Sequence, residues 1–164
     1  MFADLWQGFS SSSERPFSSE PGRFFIFKGR LWFTAVSGGT EPRKYFSTDG
    51  QSAPVPHFSL DSVSGIAARG SEYKRTREIV WGDRFYFASL IRVERDGRTE
   101  LSEKMYLFAS DGTLEGTVSI TELPLTNISE MIVIDNKLWM IGSLADVTGD
   151  HEIVVFDGEN TSLV

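Results

Sequence analysis

Side chains able to do chemistry are few and scattered in this sequence of 164 residues. It has no cysteine, which removes disulfides, thiolate metal clusters and cysteine nucleophiles. Two histidines, His57 and His151, are too few for a three-histidine metal centre. His57 stands between Pro56 and Phe58 at a strand start and reads as a structural histidine. Near His151, the carboxylates Asp146, Asp150 and Glu152 lie around Gly149 and could hold Ca²⁺ through oxygen ligands. Their spacing is not that of an EF-hand loop, so a solvated connecting loop is the simpler reading. No cofactor is expected.

Nucleophile and phosphate signatures are equally thin. The serines at 10–13 lie in no Gly-x-Ser-x-Gly elbow, and Ser37-Gly38-Gly39-Thr40 lacks the following lysine of a phosphate cradle. Arg69, Lys74, Arg75 and Arg77 form a basic cluster beside Glu72 and Glu78. A solvated surface is its ordinary use and an anionic partner the alternative. Trp6, Trp32, Trp81 and Trp139 are the most interesting aromatics. Packing between sheets is their ordinary role; an indole face also suits the apolar face of a sugar, with arginines such as Arg43 and Arg92 as polar companions.

Composition narrows the partners further. Sixteen basic residues against 23 acidic ones give a net charge of −7, which argues against the phosphate backbone of a nucleic acid. No apolar run reaches the roughly 18 residues that a membrane-spanning helix needs. The opening Met1-Phe2-Ala3-Asp4 shows no basic segment leading into an apolar stretch, so no secretory signal is read there.

The elements that must position these residues are strands. Phe24-Phe25-Ile26-Phe27, Leu31-Trp32-Phe33-Thr34-Ala35-Val36, Ile79-Val80-Trp81, Phe85-Tyr86-Phe87-Ala88, Met105-Tyr106-Leu107-Phe108, Met131-Ile132-Val133-Ile134, Leu138-Trp139-Met140-Ile141 and Ile153-Val154-Val155-Phe156 are short, and rich in aromatic and β-branched residues. Turn formers bound each of them. No segment carries a capped helical stripe. The chain is predicted to be all-β.

Their order repeats three times. A strand ends in a two-residue turn (Lys28-Gly29, Gly82-Asp83, Asp135-Asn136) and leads into a strand opening on Leu31, Phe85 or Leu138. A third strand closes on Asp49-Gly50, Asp111-Gly112 or Asp157-Gly158. Aspartate there should accept hydrogen bonds from backbone N–H groups two residues on. Leu31 to Phe85 spans 54 residues and Phe85 to Leu138 spans 53, with extra length in the middle copy near 92–103. One domain of three copies is expected, roughly 1–55, 56–120 and 121–164. Phe2-Ala3-Asp4-Leu5-Trp6 and Asn160-Thr161-Ser162-Leu163-Val164 would share one fourth strand.

Phe108-Ala109-Ser110-Asp111-Gly112-Thr113-Leu114-Glu115-Gly116-Thr117 resembles the Leu-Trp-x-Ser-Asp-Gly-Thr-x-x-Gly-Thr repeat. That repeat occurs in tandem in large bacterial extracellular proteins and is read as β-propeller blades. Asp4-Leu5-Trp6-Gln7-Gly8 with the following serines, and Gly29-Arg30-Leu31-Trp32-Phe33-Thr34-Ala35, are similar to the segments that follow it there. The first and third copies depart from the full motif at Gln51-Ser52-Ala53-Pro54 and Glu159-Asn160-Thr161. The resemblance implies three four-stranded blades and an extracellular or cell-surface bacterial setting.

Three blades cannot cover the apolar faces at their two ends. A homodimer closing a six-bladed ring is therefore expected. Its function would be non-catalytic binding or assembly through the loops at 37–43, 92–103, 144–151, 9–21 and 61–75, with a protein or glycan as partner. A lectin-like propeller is the alternative. A glycoside hydrolase is the third reading, weakened because no paired carboxylates stand out at matching places in the copies.

Overall fold

The computed structural model describes residues 19–37, 43–59, 62–63, 76–144 and 151–164. They form three four-stranded antiparallel sheets and one hairpin. Sheet 1 runs in chain order through β1 (Gly22–Phe27), β2 (Arg30–Ala35), β3 (Lys44–Thr48) and β4 (Val55–Ser59). Sheet 2 holds β5 (Ile79–Trp81), β6 (Arg84–Ser89), β9 (Tyr106–Ser110) and β10 (Val118–Glu122). Between β6 and β9 the chain makes a separate hairpin, β7 (Arg92–Arg95) with β8 (Arg98–Leu101), which accounts for the extra length of the middle copy. Sheet 3 is β11 (Leu125–Ile134), β12 (Lys137–Leu144), β13 (His151–Phe156) and β14 (Thr161–Leu163). Phe2–Trp6, expected to share that last strand, lie outside the described residues. Among the described residues no helix is long and apolar enough to cross a membrane.

Turn chemistry sets the hairpins. Lys28-Gly29 and Asp135-Asn136 have positive φ at both positions (49° and 71°, 49° and 55°), the twist that suits a two-residue hairpin. In Gly82-Asp83 only Gly82, at 65°, is positive, the mirror turn that asks for glycine first. The Asp-Gly turns form as their residues require. Asp49 Oδ1 accepts the N–H groups of Gln51 and Ser52, and Asp111 Oδ1 that of Thr113. Asp157 Oδ1 accepts those of Glu159 and Asn160. These N–H bonds hold the Asp49 and Asp157 carboxyls below their ordinary pKa, and the Thr113 side chain and backbone do the same for Asp111.

Period-two alternation makes both faces of each sheet apolar, so the sheets stack face to face. β6 sends Phe85 and Phe87 toward sheet 1, where they meet Phe27, Trp32, Tyr45 and Phe58. The intervening Tyr86 and Ala88 face sheet 3 and pack with Leu138, Met140, Val154 and Phe156. The first strands lie together, β1 against β5 and β5 against β11. The Asp-Gly turn of each later sheet rests on an aromatic of the sheet before it. A Cβ on Gly112 would come within 2.9 Å of Trp32, and one on Gly158 within 3.6 Å of Trp81. Gly50, in the same turn of sheet 1, has nothing within 4 Å.

Candidate functional site

The proposed aromatic candidates divide by their place in the stack. Trp32, in β2, is 4% exposed; its ring stacks on His57 at 4.1 Å, and its Nε1–H has no acceptor among the described residues. It belongs to the contact between sheets 1 and 2 and offers no open face to a sugar. Trp81 meets Phe156 edge-on and donates Nε1–H to Asn136 Oδ1 at 2.8 Å, tying sheet 2 to the turn of sheet 3. Trp139 is half-buried on the far face of sheet 3 and donates to the Ile134 carbonyl. Trp6 lies outside the described residues.

The remaining candidates are dispersed. Arg43 is paired with Glu20 at 3.1 Å, and Arg92 is exposed on the β7–β8 hairpin. Glu152 sits in β13 opposite Gly142, while Asp146 and Asp150 lie outside the described residues. His57 shares a 2.8 Å hydrogen bond with Ser47 Oγ; burial first, and Arg30 second, depress its pKa. Among the described residues, no contact joins one of the proposed sugar ligands Trp32, Trp81, Trp139, Arg43 and Arg92 to another.

Polar groups converge instead at the start of the first strands. Arg23, Phe24, Arg77 and Glu78 line a cleft of about 610 Å³ between β1 and β5. On the other side of β5, Arg77 and Glu78 also line a cleft of about 520 Å³ with Ile128, Ser129, Glu130 and Met131. Arg23 has φ +55°, a left-handed conformation uncommon for a side-chain-bearing residue, and its Nη1 donates to the Thr76 carbonyl at 2.7 Å. That bond spans from sheet 1 to the approach of β5. Glu78 accepts the hydroxyl of Tyr45, a fully buried residue of β3.

Arg23, Arg77 and Glu130 share one sequence offset. Each stands eight positions before the second residue of its sheet's second strand, Leu31, Phe85 and Leu138. That shared offset is a signal the sequence carried. Arg77 was visible only as part of a basic cluster, and Arg23, Glu78 and Glu130 were not singled out, because adjacency of the first strands is a tertiary fact.

No protein-family model matches the chain, and no curated protein matches it in sequence. Among solved structures, the chain is similar to Zg3597, a family 117 glycoside hydrolase produced by the marine bacterium Zobellia galactanivorans. The TM-score is 0.51 and the identity 11%, over 91% of this chain and 48% of that one. The chain is therefore an all-β protein of successive four-stranded antiparallel sheets. It shares its fold with, and spans about half the length of, that glycoside hydrolase chain.

Proposed function

We propose that this chain is one half of a propeller-like ring, closed by a second copy, which binds carbohydrate at the clefts where its first strands meet. The observation that carries closure is an equivalence of position. Phe25, Phe27 and Trp32 face sheet 2 from sheet 1; Ile79, Trp81 and Tyr86 hold the same registers and face sheet 3. In sheet 3 those places belong to Ile132, Ile134 and Trp139. Ile132 is 52% exposed, and Ile141 and Ile153 beside it are 38% and 37% exposed. This is a face of the kind that takes a next sheet, with none of the described sheets on it.

Sheet 1 offers the complementary end. Leu31, Phe33 and Phe46 hold the registers that in sheet 2 belong to Phe85, Phe87 and Phe108, the side turned toward the preceding sheet, although Phe33 (7% exposed) and Phe46 (3%) are already buried within one chain. Among the described residues, the Asp49-Gly50 turn has no aromatic of the kind on which its two counterparts rest. A dyad joining sheet 3 of each copy to sheet 1 of the other makes two equal contacts and leaves no unmatched end. The likeness of this chain to about half of a single larger chain supports the half-ring reading. Co-purification of two differently tagged copies is the expected result; failure to exchange or co-purify at micromolar concentration would contradict closure.

Binding rather than turnover is the simpler use of the clefts, which combine arginine, carboxylate and an exposed phenylalanine. The resemblance in fold to a glycoside hydrolase supports carbohydrate as the ligand class. Isothermal titration against a panel of neutral and acidic oligosaccharides tests it, and a uniformly flat panel would refute it. One observation favours a second reading: Glu78 and Glu130 line the same cleft, and glycoside hydrolysis commonly uses two carboxylates. Cleavage of chromogenic glycosides, abolished in both E78Q and E130Q, would establish that reading.

A further inference from the structure

We infer that Trp139 is the seat for the Asp49-Gly50 turn of a second copy, so that these residues specify the contact between copies. This inference rests on the closure reading above and deepens it by naming the recognition element. The two contacts inside the chain supply the pattern. Each sets the glycine of an Asp-Gly turn on an indole of the sheet before it, Gly112 on Trp32 and Gly158 on Trp81. All three turn glycines have positive φ, 82° at Gly50, 97° at Gly112 and 109° at Gly158, so a similar backbone is presented each time. Among the described residues, one such turn and one indole are left over. Gly50 is exposed, with no described atom within 4 Å of a Cβ placed on it, and Trp139 lies on the far face of sheet 3.

The seat on sheet 3 repeats the arrangement on sheet 1. Trp32 pairs with Phe25 and Trp139 with Ile132, the same register of first and second strands. Both indoles lean toward the end of the first strand. The Trp32 ring meets Phe27 edge-on at 5.7 Å, and a Cβ on Gly112 would press on both rings, at 2.9 and 3.4 Å. Trp139 Nε1–H reaches the carbonyl of Ile134, which holds the place of Phe27. Ile132 and Ile134 give this seat an exposed apolar rim. A residue without a side chain lets a turn lie that close to a ring, which favours another Asp-Gly turn as the occupant. Lys28, whose Nζ donates to the Asp111 carbonyl across the inner contact, has Asp135 in its place on sheet 3. The contact between copies therefore rests on the indole and not on that donor.

The test is a double-mutant cycle read in the dimer dissociation constant, by sedimentation velocity over a dilution series. Asparagine tolerates positive φ, so Gly50→Asn keeps the turn and adds a side chain where the indole must lie. It should weaken association at least about tenfold, as should Trp139→Ala. The double variant should associate no more weakly than Trp139→Ala alone, because the obstructed ring is gone. Gly82→Asn, at a turn glycine of the middle sheet with φ 65°, should leave association unchanged. The unsubstituted chain gives an independent reading: dilution through the transition should change an indole emission that Trp139→Phe lacks. Effects of G50N and W139A that simply multiply, or are absent, or an emission that ignores dilution, overturn the inference and leave closure standing. An unsubstituted chain that stays monomeric overturns both, and gives the face to another occupant such as a sugar stacked on Trp139.

Discussion

Phe27 and Ile134 occupy the same place in their sheets, each the last residue of a first strand before its hairpin turn, yet Phe27 is 1% exposed and Ile134 is 46% exposed. Only the neighbour differs. Sheet 2 covers Phe27, while no described sheet lies on Ile134. Phe27→Ala should therefore cost about 3–5 kcal/mol of folding stability. Ile134→Ala should cost under about 1 kcal/mol in a chain held monomeric by dilution, and visibly more at concentrations where copies associate. Denaturant titrations at two protein concentrations separate the cases.

Gly142 has a different constraint. It lies in β12 opposite a bulge in β11, and a Cβ there would fall 1.9 Å from the Asn127 carbonyl oxygen, a backbone atom with no freedom to step aside. Gly142→Ala should destabilise by more than about 2 kcal/mol. Gly22→Ala is the control, because nothing lies within 4 Å of that position. Thermal melts of the two variants should diverge by several degrees.

His57 makes folding sensitive to mild acid. Partial desolvation of this largely exposed ring lowers its pKa below the ordinary 6.5, with Arg30 adding to the effect, so the folded state weakly prefers the neutral ring. The unfolded chain takes up the proton first as pH falls. The contribution of His57 is complete above 6.5 and is lost as pH drops through the lower folded value. Since the ring stacks on Trp32 at 4.1 Å, protonation should also change indole fluorescence. His57→Phe should remove both effects, and retention of the fluorescence step would assign it elsewhere.

The three turn aspartates act at lower pH. Asp49, Asp111 and Asp157 all have carboxyls held below their ordinary range, the first and third by backbone N–H groups and the second mainly by Thr113. Their stabilisation is present above about pH 4 and is lost as pH falls through the depressed values. Replacing all three by alanine should flatten the acid limb of a stability profile while leaving the limb due to His57. Gly116 adds a check: a Cβ there would lie 2.1 Å from Asp111 Oδ1, so Gly116→Ala should act like loss of Asp111.

Strand composition and turn chemistry made the three sheets legible in sequence, down to the hairpins at Lys28-Gly29 and Asp135-Asn136, because both signals are local. The insertion near 92–103 was legible as length, and the structure folds it into β7 and β8. The candidate site was harder to read. Indoles drew attention as sugar platforms, but the apolar drive that makes tryptophan conspicuous also buries Trp32 between sheets. Arg23, Arg77 and Glu130 become neighbours through the packing of β1, β5 and β11, which depends on contacts more than 50 residues apart in sequence.

Sedimentation equilibrium tests closure most directly. A species near twice 18.4 kDa is expected for the chain, and Ile132→Asp with Ile141→Asp should return it to 18.4 kDa without unfolding it. A soluble, folded, unsubstituted chain that stays at 18.4 kDa across micromolar concentrations would contradict it.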